Sequence, residues 1–163
     1  MSFALPDDVR LAADADVPAL RSLINAAYLE LAERGLNFTG SYQDEELTRQ
    51  RIQGAEVYLV ERGGELLASV SLSIKPVEGQ TDPCLYVNQL AVAPAHKRRG
   101  LGSFLLDLAE RRAEHSGLRR LRLCTAVPAF HLVGLYRRLG YAVVEEIQIE
   151  GKTYRSYIME KCL

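Results

Sequence analysis

The stretch Lys97-Arg98-Arg99-Gly100-Leu101-Gly102-Ser103 has the residue types and spacing most suited to chemistry. It follows an apolar run, Leu85 to Val92, that reads as a strand. It precedes Leu101, Leu105, Leu108 and Ala109 at helical spacing. A strand therefore runs through a basic turn into a helix. The first backbone N–H groups of a helix have no internal partner and lie at the positive end of its dipole. Glycine at 100 and 102 lets a ligand approach that backbone closely. Such a corner binds phosphate. One dipole contact is worth only about 0.3–1 kcal/mol at an exposed site. Useful affinity needs several N–H groups together with the charge of Lys97, Arg98 or Arg99, because charge-assisted bonds are the stronger class.

Two phosphate motifs are excluded. A Walker loop requires Lys-Ser/Thr after its second glycine, where this chain has Ser103-Phe104. A dinucleotide fingerprint requires a third glycine where this chain has Leu105. On its own, Gly-x-Gly fits a solvated basic turn equally well. Cys84, Cys124 and Cys162 are odd in number and far apart, with no metal-ligand spacing. Cys124 sits in an apolar strand pattern and reads as an inert buried thiol.

The elements that must position the turn follow from periodicity. Val9 and Leu11 mark a short first strand. Asp14 or Asp16 caps a helix with Pro18 in its first turn, and Val17, Leu20, Ile24, Ala27 and Leu31 form its apolar face up to Gly35. Asp44 to Gln53 is a second, polar helix. Its apolar face is thin, as in a helix that is mobile or lies over a ligand. Glu56 to Arg62 and Glu65 to Ile74 are strands joined at Gly63-Gly64, a tight-hairpin signal. After the Leu85–Val92 strand come a helix over 102–116, a strand over 118–124 and a helix over 129–139. A final hairpin spans 141–161. Hairpins at both ends exclude a wholly parallel sheet, while the central strand–helix–strand unit demands a crossover. The fold class is mixed α/β: a mostly antiparallel sheet of about seven strands with about four helices, in one domain over residues 8–163.

Composition narrows the function classes. The chain has 163 residues, 48% hydrophobic and 25% charged, with Lys+Arg 20 against Asp+Glu 21. A net charge of −1 argues against a general nucleic-acid binder. No apolar run approaches the ~20 residues of a membrane span, and no signal peptide is visible. The expected location is cytoplasmic, with no membrane partner. Exposed strand edges leave room for a homodimer.

The turn and a later segment together carry a family likeness. Lys97-Arg98-Arg99-Gly100-Leu101-Gly102 resembles the Gln/Arg-x-x-Gly-x-Gly/Ala signature of the GNAT superfamily of N-acyltransferases. Leu90-Ala91-Val92-Ala93-Pro94 resembles the strand that leads into it. Leu135-Tyr136-Arg137-Arg138-Leu139-Gly140-Tyr141 resembles the family's Leu-Tyr-x-x-x-Gly-Phe/Tyr element. The resemblance implies acetyl-coenzyme A as co-substrate and an amine, small-molecule or peptide, as acceptor. It implies that the amides of Arg98, Arg99, Gly100, Gly102 and Ser103 hold the pyrophosphate, within a cofactor-binding stretch that includes Leu101. It also implies that side chains of Lys97, Arg98 or Arg99 reach the phosphates, and that the backbone of Leu90, Ala91 and Val92 holds the pantetheine arm. The strands at Leu90 and at Leu121 to Cys124 would splay apart to admit the thioester. Tyr136 would be the general acid that protonates the departing thiolate, since a tyrosine is protonated at neutral pH.

Three positions depart from the family pattern. Lys97 stands where Gln or Arg is usual. Ala129 stands where an asparagine often contacts pantetheine. Asn88, followed by Gln89, stands where a glutamate often serves as base. Neither amide can take a proton, so Asn88 and Gln89 are assigned to aligning a water or the substrate. His131 suits a base by intrinsic pKa, and Glu56, Glu78 and Asp82 are further candidates. Tyr28, Phe38 and Tyr42 could wall an acceptor pocket. The alternative to an enzyme is a non-catalytic acyl-coenzyme A sensor, which Asn88 favours and Tyr136 opposes.

Overall fold

The computed structural model describes residues 2–163. Strands β1 (Val9–Leu11), β2 (Glu56–Arg62), β3 (Glu65–Lys75), β4 (Cys84–Val92), β5 (Arg120–Ala126), β6 (Ala142–Ile147) and β7 (Ser156–Cys162) form one sheet in the order β1-β2-β3-β4-β5-β7-β6. Helices α1 (Val17–Glu33) and α2 (Glu45–Gln53) precede β2. Helix α3 (Leu101–His115) links β4 to β5, and α4 (Phe130–Arg138) follows β5. Among the described residues, only the β4–β5 pair is parallel, as the crossover through α3 requires. The expected mixed, mostly antiparallel architecture is therefore the observed one.

Strand β2 shows how the layers assemble. Tyr58 and Val60 join Leu105, Leu108 and Ala109 of α3 on one face. Their alternates Val57 and Leu59 pack against Leu20, Leu23 and Ile24 of α1 on the other. Period-2 alternation between two covered faces makes the run Val57 to Val60 continuously buried. Val133 and Tyr136 of α4 complete the α3 side.

Local chemistry sets the ends of the elements. Gly63 (φ 58) and Gly64 (φ 79) are both left-handed and close the β2–β3 hairpin as expected. Asp44 caps α2 by accepting from the amide of Leu47 at 2.8 Å. Asp16 stands at the start of α1 but does not cap it through its side chain. Its carboxylate points back instead, accepting from the Ala13 amide at 2.7 Å and from both terminal nitrogens of Arg10 at 2.8 Å. A charged guanidinium outcompetes a helix amide for the same oxygens.

The feature that matters for function is the seam between β4 and β5. These strands pair only at Leu85–Leu121 and Tyr86–Arg122. Beyond that point β5 stays bonded to β7 along its whole length, up to Ala126–Ser156. Strand β4 instead carries an irregularity against β3 between Ser69 and Ser71, with Gln89 at φ 50. A bulge bends its strand, and here the bend opens the sheet. The later half of β4 is left with an unpaired edge inside the protein.

Candidate active site

Helix α3 opens with unused donors. Its first closed turn is Phe104 N–H to the Gly100 carbonyl, 2.9 Å. Among the described residues, no carbonyl accepts from the amides of Arg98 to Ser103. Arg98 (φ 64) and Gly100 (φ 81) are both left-handed. Glycine adopts this readily, whereas arginine pays roughly 1–3 kcal/mol for it. Left-handed residues in a turn gather successive N–H groups into a concave anion site. No acidic residue stands in the first turn of α3. These observations fit the diphosphate of coenzyme A.

The turn forms one rim of a cavity of about 520 Å³. Its walls include Leu90, Ala91 and Val92 of β4 and Lys97, Arg98, Gly100, Leu101, Gly102 and Ser103. Arg99 is exposed and is not among them. The Lys97 ammonium reaches across to α1, 3.4 Å from the Ala27 carbonyl and 3.9 Å from Glu30.

A second cavity of about 240 Å³ lies on the other side of the open seam. Tyr28, Phe38, Leu90, Cys124, Thr125 and Tyr136 line both. Tyr28 crosses the gap from α1 and donates its hydroxyl to the Leu90 carbonyl at 2.9 Å. Tyr136 enters from α4, 8% exposed, with its ring edge-on to Tyr141 at 6.0 Å. Burial holds its hydroxyl well above the ordinary tyrosine value, and nearby Tyr28 adds to the shift. Burial likewise pushes Tyr28 up to about 12. Both phenols are therefore fully protonated at neutral pH.

Asn88 lines the smaller cavity, exposed, with its Oδ1 accepting from the Gln89 amide at 2.9 Å. The buried Gln89 side chain faces an amide chain. Gln43 Nε2 donates to Gln89 Oε1 at 3.3 Å and to Thr48 Oγ1 at 2.9 Å, and Arg51 Nη1 donates to Gln43 Oε1 at 2.8 Å. Arg51, Lys152 and Tyr154 also line this cavity. Sequence reasoning singled out none of Gln43, Arg51, Thr125 and Lys152. The one available signal was the thin apolar face of α2, which sets Arg51 over the cavity.

The candidate bases lie elsewhere. His131 borders the larger cavity, and burial, with Arg34 nearby, holds it below its ordinary value. Glu56 is bound by Arg112 at 2.6 and 3.0 Å, and Glu78 and Asp82 are exposed loop residues. Burial raises the Cys124 thiol, which makes it a poor nucleophile. Tyr42 is exposed and its ring lies 5.1 Å from the Lys152 ammonium.

The sequence profile of the acetyltransferase (GNAT) family matches residues 18–141. The chain belongs to this acetyltransferase (GNAT) family. Membership makes it an acyltransferase with acetyl-coenzyme A as co-substrate. A curated relative, the S-alkylcysteine N-acetyltransferase of Bacillus subtilis (strain 168), is 28% identical over 153 residues, covering 90% of this chain and 85% of that protein. Among solved structures, the ribosomal-protein-alanine N-acetyltransferase of Brucella melitensis superposes with TM-score 0.73 at 23% identity, over 95% of this chain and 99% of that one. A GNAT family acetyltransferase of Elizabethkingia anophelis with acetyl-CoA bound gives 0.66 at 18% identity, over 97% and 100%. These likenesses show that the chain has the GNAT fold. No helix among the described residues is long and apolar enough to cross a membrane.

Proposed function

We propose that residues 8–163 form an N-acetyltransferase domain in which an amine attacks the acetyl donor directly, both substrates being bound at once. The observation that carries this reading is the common wall. A cavity beginning at the free amides of α3 and a second cavity meet at Tyr136, across a seam that β4 leaves open.

The amides of Arg98 to Ser103 hold the diphosphate, and the unpaired edge of β4 at Leu90, Ala91 and Val92 holds the extended arm. Bound acetyl-coenzyme A supplies an activated acyl carbon and a thiolate leaving group. N–H groups near Val92 polarise the carbonyl. The Tyr136 hydroxyl gives its proton to the sulfur, and the resulting phenolate takes back the proton shed by nitrogen. A phenolate whose conjugate acid titrates above the ordinary range is a strong enough base for that return. Asn88 orients the acceptor or a water. A covalent acyl-enzyme has no support, because the one thiol on the shared wall is raised by burial.

Among the described residues, no aspartate, glutamate or histidine lines the smaller cavity. The incoming ammonium therefore loses its first proton to water. An amine panel scored by thiol release from acetyl-coenzyme A, with S-alkylcysteines among its members, tests the reading. Release with at least one amine supports it, and none with any amine contradicts it.

A further inference from the structure

The smaller cavity carries positive charge with no counter-charge. Arg51 and Lys152 line it, and among the described residues no acidic group does. The two cations differ in what they still offer. The Lys152 ammonium has three N–H donors. These are engaged by the Asn37 carbonyl at 2.9 Å, Thr39 Oγ1 at 2.8 Å and the Tyr42 hydroxyl at 3.2 Å. Lys152 thus contributes field but no free bond. A guanidinium has five donors in a planar fork. Arg51 places one on Gln43 Oε1, which itself is 1% exposed and fixed by Thr48 and Gln89. The rest of the fork has no acceptor among the described side chains.

A half-buried charge without a partner is costly. Burial holds the Arg51 guanidinium below its ordinary value, with no carboxylate opposing the shift. Two hydroxyls in the same cavity are also unspent. Thr125 Oγ1 and Ser156 Oγ are 2% and 1% exposed and have no hydrogen-bond partner. The charge of Arg51 acts on Tyr28, whose hydroxyl meets Leu90 on the wall shared with the larger cavity. Arg51, Leu90 and Tyr136 line one cavity, so an anion on Arg51 and an amine at that wall share one chamber. Phe38, Leu123, Ile149 and Tyr154 give the lining an apolar part that suits a hydrophobic side chain.

We infer that the acceptor is a free amino acid with an apolar side chain, its α-carboxylate held by the unspent fork of Arg51 and its amine delivered to the Tyr136 wall. The inference rests on the transferase reading above. It also relieves the lack of a base. A neighbouring carboxylate raises the pKa of an ammonium. Pairing that carboxylate with Arg51 removes the effect and releases more of the nucleophilic free amine.

The test compares methionine, leucine and phenylalanine with their primary amides, by thiol release from acetyl-coenzyme A. The acids should show kcat/KM at least tenfold above the amides. In Arg51→Gln the KM for the acids should rise at least tenfold, while the KM values for the amides and for acetyl-coenzyme A stay within about twofold. The acids alone should raise the Tm of the wild type, and this shift should vanish in the variant. Amides used as readily as acids would overturn the carboxylate assignment and leave the transferase standing. No thiol release with any amine would overturn both. If Arg51→Gln unfolds, the comparison of acids with amides on the wild type still decides.

Discussion

The Tyr28 hydroxyl donates to the Leu90 carbonyl at 2.9 Å, and so ties helix α1 to the unpaired edge of β4. The bond spans 62 positions of sequence and sits where the two cavities share a wall. It satisfies a backbone acceptor that the splayed sheet leaves without a strand partner. Tyr28→Phe removes the donor and keeps the ring. The expected loss is about 1 kcal/mol, which lowers Tm by about 2–4 °C for a chain of this size. The KM for acetyl-coenzyme A should rise as well, because β4 loses its brace. A thermal melt and a steady-state titration check both.

Gly40 holds Tyr28 in place by lacking a side chain. A Cβ at position 40 would lie 2.8 Å from Tyr28 Cδ2 and 3.0 Å from Ile24 Cγ2. Gly40→Ala should cost roughly 1–3 kcal/mol through overpacking and lower activity by displacing Tyr28. The control is Gly54→Ala, where a Cβ meets nothing within 4 Å and φ is −99°. That substitution should leave activity unchanged. Denaturant melts of the two variants, run side by side with activity assays, separate crowding from a general intolerance of alanine.

Gly100 fails differently when substituted. Nothing lies within 4 Å of a Cβ built there, but φ is +81°. Gly100→Val therefore meets backbone strain rather than a clash. A β-branched residue would be expected to rotate the turn out of the left-handed region and disperse the amides of Arg98 to Ser103. Coenzyme A affinity should fall at least tenfold by calorimetric titration while the far-ultraviolet circular dichroism remains native. Unaltered affinity would put the diphosphate elsewhere.

Local features were legible in the sequence and long-range ones were not. The basic turn, Gly100 and the helix that follows lie within a few residues of one another, and elementary helix electrostatics marks them as an anion corner, with coenzyme A implied only by the family resemblance. The hairpin at Gly63-Gly64 is equally local. The smaller cavity is lined by Arg51, Gln89, Thr125 and Lys152, which come from α2, β4, β5 and the β6–β7 loop. Periodicity places each on its element but cannot bring four elements together. Gln43 shows the limit most clearly. A glutamine just before a helix reads as a surface residue, yet it is 1% exposed and anchors Arg51. Asp16 shows a different limit, because Arg10 competes for the carboxylate that would otherwise cap α1.

The pH dependence follows from what the smaller cavity lacks. With no carboxylate or imidazole among the described residues of its walls, kcat/KM should rise with pH at a slope near one up to the pKa of the acceptor amine. Changing to an acceptor of lower amine pKa should move the midpoint down by the same amount. Tyr136 titrates above its ordinary value, so its proton is retained and no alkaline fall should appear below about pH 10. A midpoint that stays fixed across acceptors would reveal a protein base.

Tyr136→Phe is the most direct test of the proton donor at the common wall. The ring stays in the core beside Tyr141, and only the hydroxyl is lost. In steady-state assays of thiol release, kcat should fall by about 10²-fold or more while the KM for acetyl-coenzyme A stays within about twofold. An unchanged kcat would contradict the account, because the sulfur would then be receiving its proton from another group.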